Sequence, residues 1–153
     1  MNENTTEGRV VSVNISKDKG TIKSPVQQIV IDCKGIQGDA HAGNWHRQLS
    51  LLAEESITGF EKASGRKISF GEFAENITTT GIAISKSKAG DRLIIGDSEL
   101  EVTQIGKKCH GSNCAIFRET GWCVMPKEGI FARVIRGGSV RAGDKIRCIP
   151  VQS

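Results

Sequence analysis

The chain has 153 residues, a length that fits one domain of about 100–200 residues with enough chain to bury a sizeable core. Its formal net charge is +4 and its longest apolar stretches are a handful of residues, which argues against a signal peptide and a membrane span and leads us to expect a soluble, cytoplasmic chain with no membrane partner. Five cysteines, an odd number without export signals, argue against a disulfide framework and leave thiol or metal chemistry.

Val10 to Ile15 alternates apolar with polar after its first residue, the period of a half-buried strand, and Lys17-Asp18-Lys19-Gly20 then supplies a turn. Val26 to Ile31 reads as a second strand that stops at the glycines of Lys34-Gly35-Ile36-Gln37-Gly38-Asp39. Cys33 and Cys148 each sit within an apolar strand-like run, so both are expected to be buried, reduced cysteines acting as small hydrophobes. Between Gly38 and Arg47 the sequence gathers Asp39, His41, His46 and Arg47 in a glycine-bearing loop. Loops held by a rigid sheet are where sites usually lie; the alternative is a polar turn in which Asp39 caps backbone amides. Leu49 to Leu52 is a short apolar run, and Ala53 to Ala63 places Ile57, Phe60 and Ala53 on one helical face that Ser64-Gly65 ends.

From Ile68 onward, Gly71, Gly81, Gly90, Gly96 and Gly106 divide short apolar runs at the spacing of a meander or barrel. Ala89-Gly90-Asp91-Arg92-Leu93 is echoed by Ala142-Gly143-Asp144-Lys145-Ile146, which predicts two equivalent corners, each a Gly-Asp turn feeding a strand. No Pro/Ser-rich linker interrupts the chain, so one domain over residues 1–153 is expected.

Residues 104–148 hold nine Lys/Arg against three acids, a local +6 that leaves −2 elsewhere. This half favours an anionic, phosphate-bearing ligand, with Arg133 and Arg136 as contacts because they flank Gly137-Gly138, where backbone amides can also face an anion. A solvated basic face is the alternative. The absence of tyrosine, of a base-stacking pattern and of a helix-turn-helix speaks against a nucleic-acid partner.

Cys109-His110-Gly111-Ser112-Asn113-Cys114, followed by Cys123, is the densest soft-ligand cluster. Lys107, Lys108 and His110 flank the Cys109 thiol, and such an electropositive setting favours the thiolate that attacks sulfur or binds metal. Cys109 is therefore the leading nucleophile candidate. A structural zinc site from Cys109, His110, Cys114 and Cys123 competes with this reading, although no C-x2-C pair exists. Serine-hydrolase, P-loop, dinucleotide and HExxH signatures are absent.

In order and spacing, Gly35 to His41, Arg47 to Leu52, Phe73 to Ile82, Ala89 to Gly96, Leu100 to Gln104, Cys109, Gly129 to Val134 and Gly137 to Asp144 resemble the MOSC domain, found at the C-terminus of molybdenum-cofactor sulfurases, over about residues 8–149. The resemblance implies a mainly β (α+β) fold, a β-barrel with a few short helices and a cleft around the equivalent of Cys109. It implies binding of molybdenum cofactor, or carriage of sulfur from a pyridoxal-phosphate-dependent cysteine desulfurase to a molybdoenzyme; a molybdenum-dependent reductase of N-hydroxylated compounds is the alternative enzyme class. By the same resemblance, Cys109 would ligate molybdenum and Asn76 would hold the pterin, with Asp39, His41 and Arg47 on the same cleft. Ala74 stands where reductase-like relatives are expected to carry arginine, and Cys114 and Cys123 are not part of the family pattern. No lysine stands out as a Schiff-base former, so pyridoxal phosphate is placed on the desulfurase partner rather than on this chain.

Overall fold

The computed structural model describes residues 5–18, 22–106 and 129–151. Its strands are β1 (Thr6–Ile15), β2 (Ser24–Val26), β3 (Ile29–Asp32), β4 (Gly35–Ile36), β5 (Leu49–Ala53), β6 (Ile77–Thr80), β7 (Arg92–Ile95), β8 (Ser98–Ile105), β9 (Ile130–Arg136), β10 (Gly138–Val140) and β11 (Lys145–Ile149). Helix α1 (Glu54–Ser64) and a one-turn 3-10 helix (Ile84–Lys86) are the helices among the described residues.

Seven strands close on themselves in the order β1-β6-β5-β9-β8-β7-β11 and back to β1. The barrel is mainly β, as the glycine spacing predicts, and closure removes the free edges that would otherwise template aggregation. Among the described residues only β5 and β6 pair in parallel, and the crossover such a pair needs is α1. Strand β2 extends β1, while β10, β3 and β4 form a small second sheet. The run expected as one strand from Val26 to Ile31 is thus two short ones, broken at Gln27-Gln28, with β2 on the barrel and β3 on the small sheet.

Inward-facing Val10, Val13, Leu49, Leu51, Ile77, Leu93, Ile95, Leu100, Val102, Ile130, Ala132 and Ile146 fill the barrel. All five residues of β5 are buried because its outer face is covered too, by Ile57 and Phe60 of α1, Phe73 and Phe131 packed on Leu52. Phe60 and Phe73 meet edge to face at 5.0 Å. Each such apolar side chain contributes about 1.5–3 kcal/mol on burial, which holds α1 although Ala53, its N-cap, makes no side-chain cap bond. Gly65 ends the helix at φ 74° with its N–H on the Glu61 carbonyl, the left-handed stop expected of glycine.

The echoed segments form matching corners. Gly90 and Gly143 have φ of 98° and 97°, and in each corner the aspartate accepts the amide three residues back: Lys88 N–H to Asp91 Oδ2 at 2.9 Å and Arg141 N–H to Asp144 Oδ2 at 3.0 Å. They feed β7 and β11, which pair with each other.

Candidate functional site

The loop from Gln37 to Gln48 is fixed at both ends by buried polar side chains. Asp39 Oδ1 accepts Lys23 Nζ at 2.7 Å and Ser16 N–H at 3.1 Å, while Oδ2 accepts His41 N–H at 3.0 Å. Both side chains of the Lys23–Asp39 pair are fully buried. Burial alone would raise the Asp39 pKa, but His41 and the Lys23 ammonium outweigh it and hold the carboxyl well below the usual carboxylate range. At the other end Gln48 donates to the Gly43 and Cys33 carbonyls at 2.8 and 3.0 Å and accepts Val134 N–H at 2.7 Å. Asp39 therefore caps backbone amides, and its carboxylate lies 3.7 Å from His41 Nδ1, beyond hydrogen-bond range.

Trp45 organises the loop's outer face. Its indole N–H donates to the His41 carbonyl at 2.8 Å, the His41 ring lies parallel to it within 11°, and the Arg47 guanidinium sits 4.8 Å from its centroid and 5.6 Å from that of Phe131. Arg47 Nε and His41 Nδ1 are buried without a hydrogen-bond partner among the described residues. Such stranded groups cost about 1–3 kcal/mol each, so unpaired atoms of this kind fit a ligand group in the immediate surroundings.

The same loop reaches a bulge of β8 at Thr103, where the register against β9 shifts. The Thr103 hydroxyl donates to the His46 carbonyl, and His46 Nε2 pairs with Gln104 Oε1 at 3.0 Å. Gln104 Nε2 in turn donates to the Gly106 carbonyl at 2.8 Å, and Gly106 N–H donates to the Gly129 carbonyl at 2.6 Å. The loop thus reaches Gly106 through Gln104, and Gly106 in turn pairs with Gly129. Lys107, Lys108, Cys109, His110, Cys114 and Cys123 all lie outside the described residues, and so does the zinc alternative built on them. Among the described residues no group of three or more His, Cys, Asp or Glu could hold a metal ion.

Asn76 is fully buried. Its Oδ1 accepts Ser50 N–H at 3.0 Å and its Nδ2 donates to the Asn14 carbonyl at 3.1 Å, so the amide stitches β1 and β5 at the start of β6, and both its faces are engaged with protein. The preceding Glu75 is buried as well. One of its oxygens accepts Gly71 N–H at 3.0 Å and the Thr78 hydroxyl at 2.8 Å, while Oε1 has no partner among the described residues. Burial pushes the Glu75 carboxyl upward against those hydrogen bonds. Ala74 beside it takes φ 67°, a left-handed conformation uncommon for alanine.

Arg133 and Arg136 stand on the exposed outer side of β9 and meet acids of β8. Arg133 reaches Glu101 at 2.5 Å, and Arg136 lies 3.6 Å from Glu99 and donates to the Asp97 carbonyl at 2.8 Å. The +6 balance read from 104 onward leaves out these two glutamates, which the hairpin brings back. A Cβ on Gly137 would stand 2.3 Å from the Ile31 carbonyl, so the glycine there serves close approach to β3. Cys148 is buried as expected, and burial raises its thiol pKa. Cys33 is not: it is exposed, because the run ends at Asp32 and Cys33 falls in the turn to β4.

Lys23 carries no signal in the sequence. Gln48, Thr103, Gln104 and Phe131 lie in segments that bear the family resemblance and Trp45 lies in the Gly38–Arg47 cluster, but the role of each comes from contacts that only the fold supplies.

The closed barrel with its crossover helix is a fold shared with solved bacterial proteins. YuaD from Bacillus subtilis superposes with a TM-score of 0.82 at 19% identity, covering 97% of this chain and 99% of that one. YiiM from Geobacillus stearothermophilus gives 0.70 at 23% identity over 95% of this chain and 75% of its own, and YiiM from Escherichia coli gives 0.67 at 21% over 96% and 71%. At these identities the likeness is one of fold. The MOSC domain model matches residues 38–147, well over half of the chain, and the protein belongs to the MOSC domain family. No curated protein matches its sequence. No helix among the described residues is long and apolar enough to cross a membrane.

Proposed function

We propose that the protein serves molybdenum-cofactor chemistry, binding the cofactor or carrying sulfur for it on Cys109. The observation that carries this reading is the convergence of the His41–Arg47 loop with Gln104, Gly106 and Gly129 on one outer face of the barrel. Cys109 follows Gly106 by three positions in the sequence. Family membership supplies the cofactor context. The unpartnered Arg47 Nε fits an anionic group there, whereas the buried Asn76 amide, with Oδ1 on Ser50 and Nδ2 on the Asn14 carbonyl, acts by positioning β1, β5 and β6.

In the sulfur-carrying step, the Cys109 thiolate attacks the terminal sulfur of a desulfurase persulfide. A new S–S bond forms at Cys109, the desulfurase cysteine leaves as thiolate, and pyridoxal phosphate stays on that partner. A bound molybdenum cofactor would instead take Cys109 as a soft thiolate ligand.

The test is intact and peptide mass measurement of protein purified without air and then incubated with a cysteine desulfurase and cysteine. One added sulfur, or the mass of a pterin cofactor, should appear in the wild type and vanish in Cys109→Ser. Sulfur confined to Cys33, the exposed thiol in the β3–β4 turn, or no added mass at all, would sink the reading.

A further inference from the structure

Four arginines sit against carboxylates: Arg66 on Glu72, Arg92 on Glu99, Arg133 on Glu101 and Arg136 beside Glu99. Arg47 differs from all of them. It is half-buried, it has no ion pair or hydrogen bond among the described residues, and its Nε lies wholly out of solvent. Its contacts are two aromatic rings, Trp45 and Phe131. A π face attracts a guanidinium but does not take up its N–H donors. The side chain is therefore held in place with its donor fork unused. A residue needed only for packing would be apolar, and one needed only for solubility would be exposed.

His41 flanks the same indole, its ring stacked on Trp45 and its buried Nδ1 without a hydrogen bond but 3.7 Å from the Asp39 carboxylate. Arginine's fork matches the oxygens of a tetrahedral oxyanion, and pairing of that kind is strongest in partly dry surroundings. We propose that Arg47, oriented by Trp45 and Phe131, is the receptor for a phosphate monoester. This rests on the proposed function only for the source of the ester, a phosphate-bearing cofactor, and it transfers the anion site from Arg133 and Arg136, which already face Glu101 and Glu99, to the loop.

The experiment is an NMR titration of 15N-labelled protein with ethyl phosphate, and in parallel with inorganic phosphate, at constant ionic strength maintained with chloride. The Arg47 Nε–H and Trp45 indole N–H signals are followed, identified by their loss in Arg47→Lys and Trp45→Phe. Ethyl phosphate should shift both signals saturably. With Trp45 as the reporter, Arg47→Lys, which keeps the charge but loses the fork, should bind at least about tenfold more weakly, while Arg147→Ala, which removes an exposed charge from β11, should stay within about twofold. Unchanged backbone spectra away from the loop would show that Arg47→Lys is folded. The proposal falls if ethyl phosphate gives no saturable shift, if inorganic phosphate alone binds, or if Arg47→Lys binds as the wild type does. Sulfur loading of Cys109 without any phosphate shift would overturn this site and leave the functional reading; a saturable ester shift in a protein that takes up no sulfur or cofactor would do the reverse.

Discussion

The loops that lead into β5 and β6, neighbours in the barrel wall, are each pinned by one buried carboxyl, and the two carboxyls are handled in opposite ways. Asp39 has a buried lysine beside it and two backbone N–H donors, and its pKa is driven down. Glu75 has an N–H, a hydroxyl and no ion pair among the described residues, and burial drives its pKa up. Hydrogen bonds alone do not offset the desolvation of a carboxylate; a cation at 2.7 Å tips the balance. The first loop is thus charged and locked, and it is the one that bears the candidate site. The second is held by an acid that favours its neutral form.

Breaking the locked side should have the largest effect. Lys23→Met leaves Asp39 buried with only its N–H donors, and loss of one partner from a buried pair costs about 3–5 kcal/mol. Urea unfolding at neutral pH measures it. The Asp39 contribution should be fully present above the unfolded value near 3.8 and fade as pH falls through the depressed folded value, so the gap between wild type and Lys23→Met should narrow only in acid. A loss under about 1 kcal/mol at pH 7 would mean that the N–H donors alone hold the loop.

Neither carboxyl's partner was legible in the sequence, and the reason is physical. Strand alternation, helix α1 with its glycine stop, and the paired Gly-Asp corners are local, written in residues a few positions apart, and all of them could be read. Asp39 was visible as a cap because its acceptor, the His41 amide, is two residues away. Lys23 lies 16 residues from Asp39, between the Lys17–Gly20 turn and the run from Val26, where nothing local points to it. Asn76 was legible as a residue of consequence through family likeness, but its engagement with Ser50 and Asn14, 26 and 62 positions away, depends on barrel closure. The same closure undid the charge count, because Glu99 and Glu101 reach Arg136 and Arg133 through the β8–β9 pairing. Cys33 was misread for a smaller reason: one residue of strand length separates an inward side chain from a turn.

On the second side of the comparison, Glu75→Gln removes the ionisation and retains an oxygen for Gly71 N–H and the Thr78 hydroxyl. Because the folded pKa is raised above the usual 4.5, wild-type stability should be greatest below that value and fall as pH rises through the folded pKa. The variant should therefore melt higher than the wild type at pH 8 and approach it at pH 4, each kcal/mol appearing as roughly 2–4 °C for a chain of this size. Thermal unfolding followed by circular dichroism from pH 4 to 8 is sufficient. A lower melting temperature for the variant at pH 8 would mean that the ionised carboxylate is the stabilising form, and the contrast with Asp39 would collapse.

The smallest effect belongs to a third carboxylate, Glu101, whose partner Arg133 is half exposed. Coulomb attraction between hydrated side chains is weak, and fixing two long side chains in one geometry costs entropy, so pairs of this kind contribute about 0–1 kcal/mol. Arg133→Ala should accordingly change unfolding stability by no more than about 1 kcal/mol, and added salt should shrink even that, since the Debye length is about 10 Å at 0.1 M and shorter above it. Set beside Lys23→Met, it separates burial from charge: both variants take one cation from one carboxylate, and only the environment differs. A loss of 2 kcal/mol or more for Arg133→Ala, undiminished by salt, would show that the β8–β9 face is drier than its exposure implies and would return Arg133 to contention as part of a binding surface.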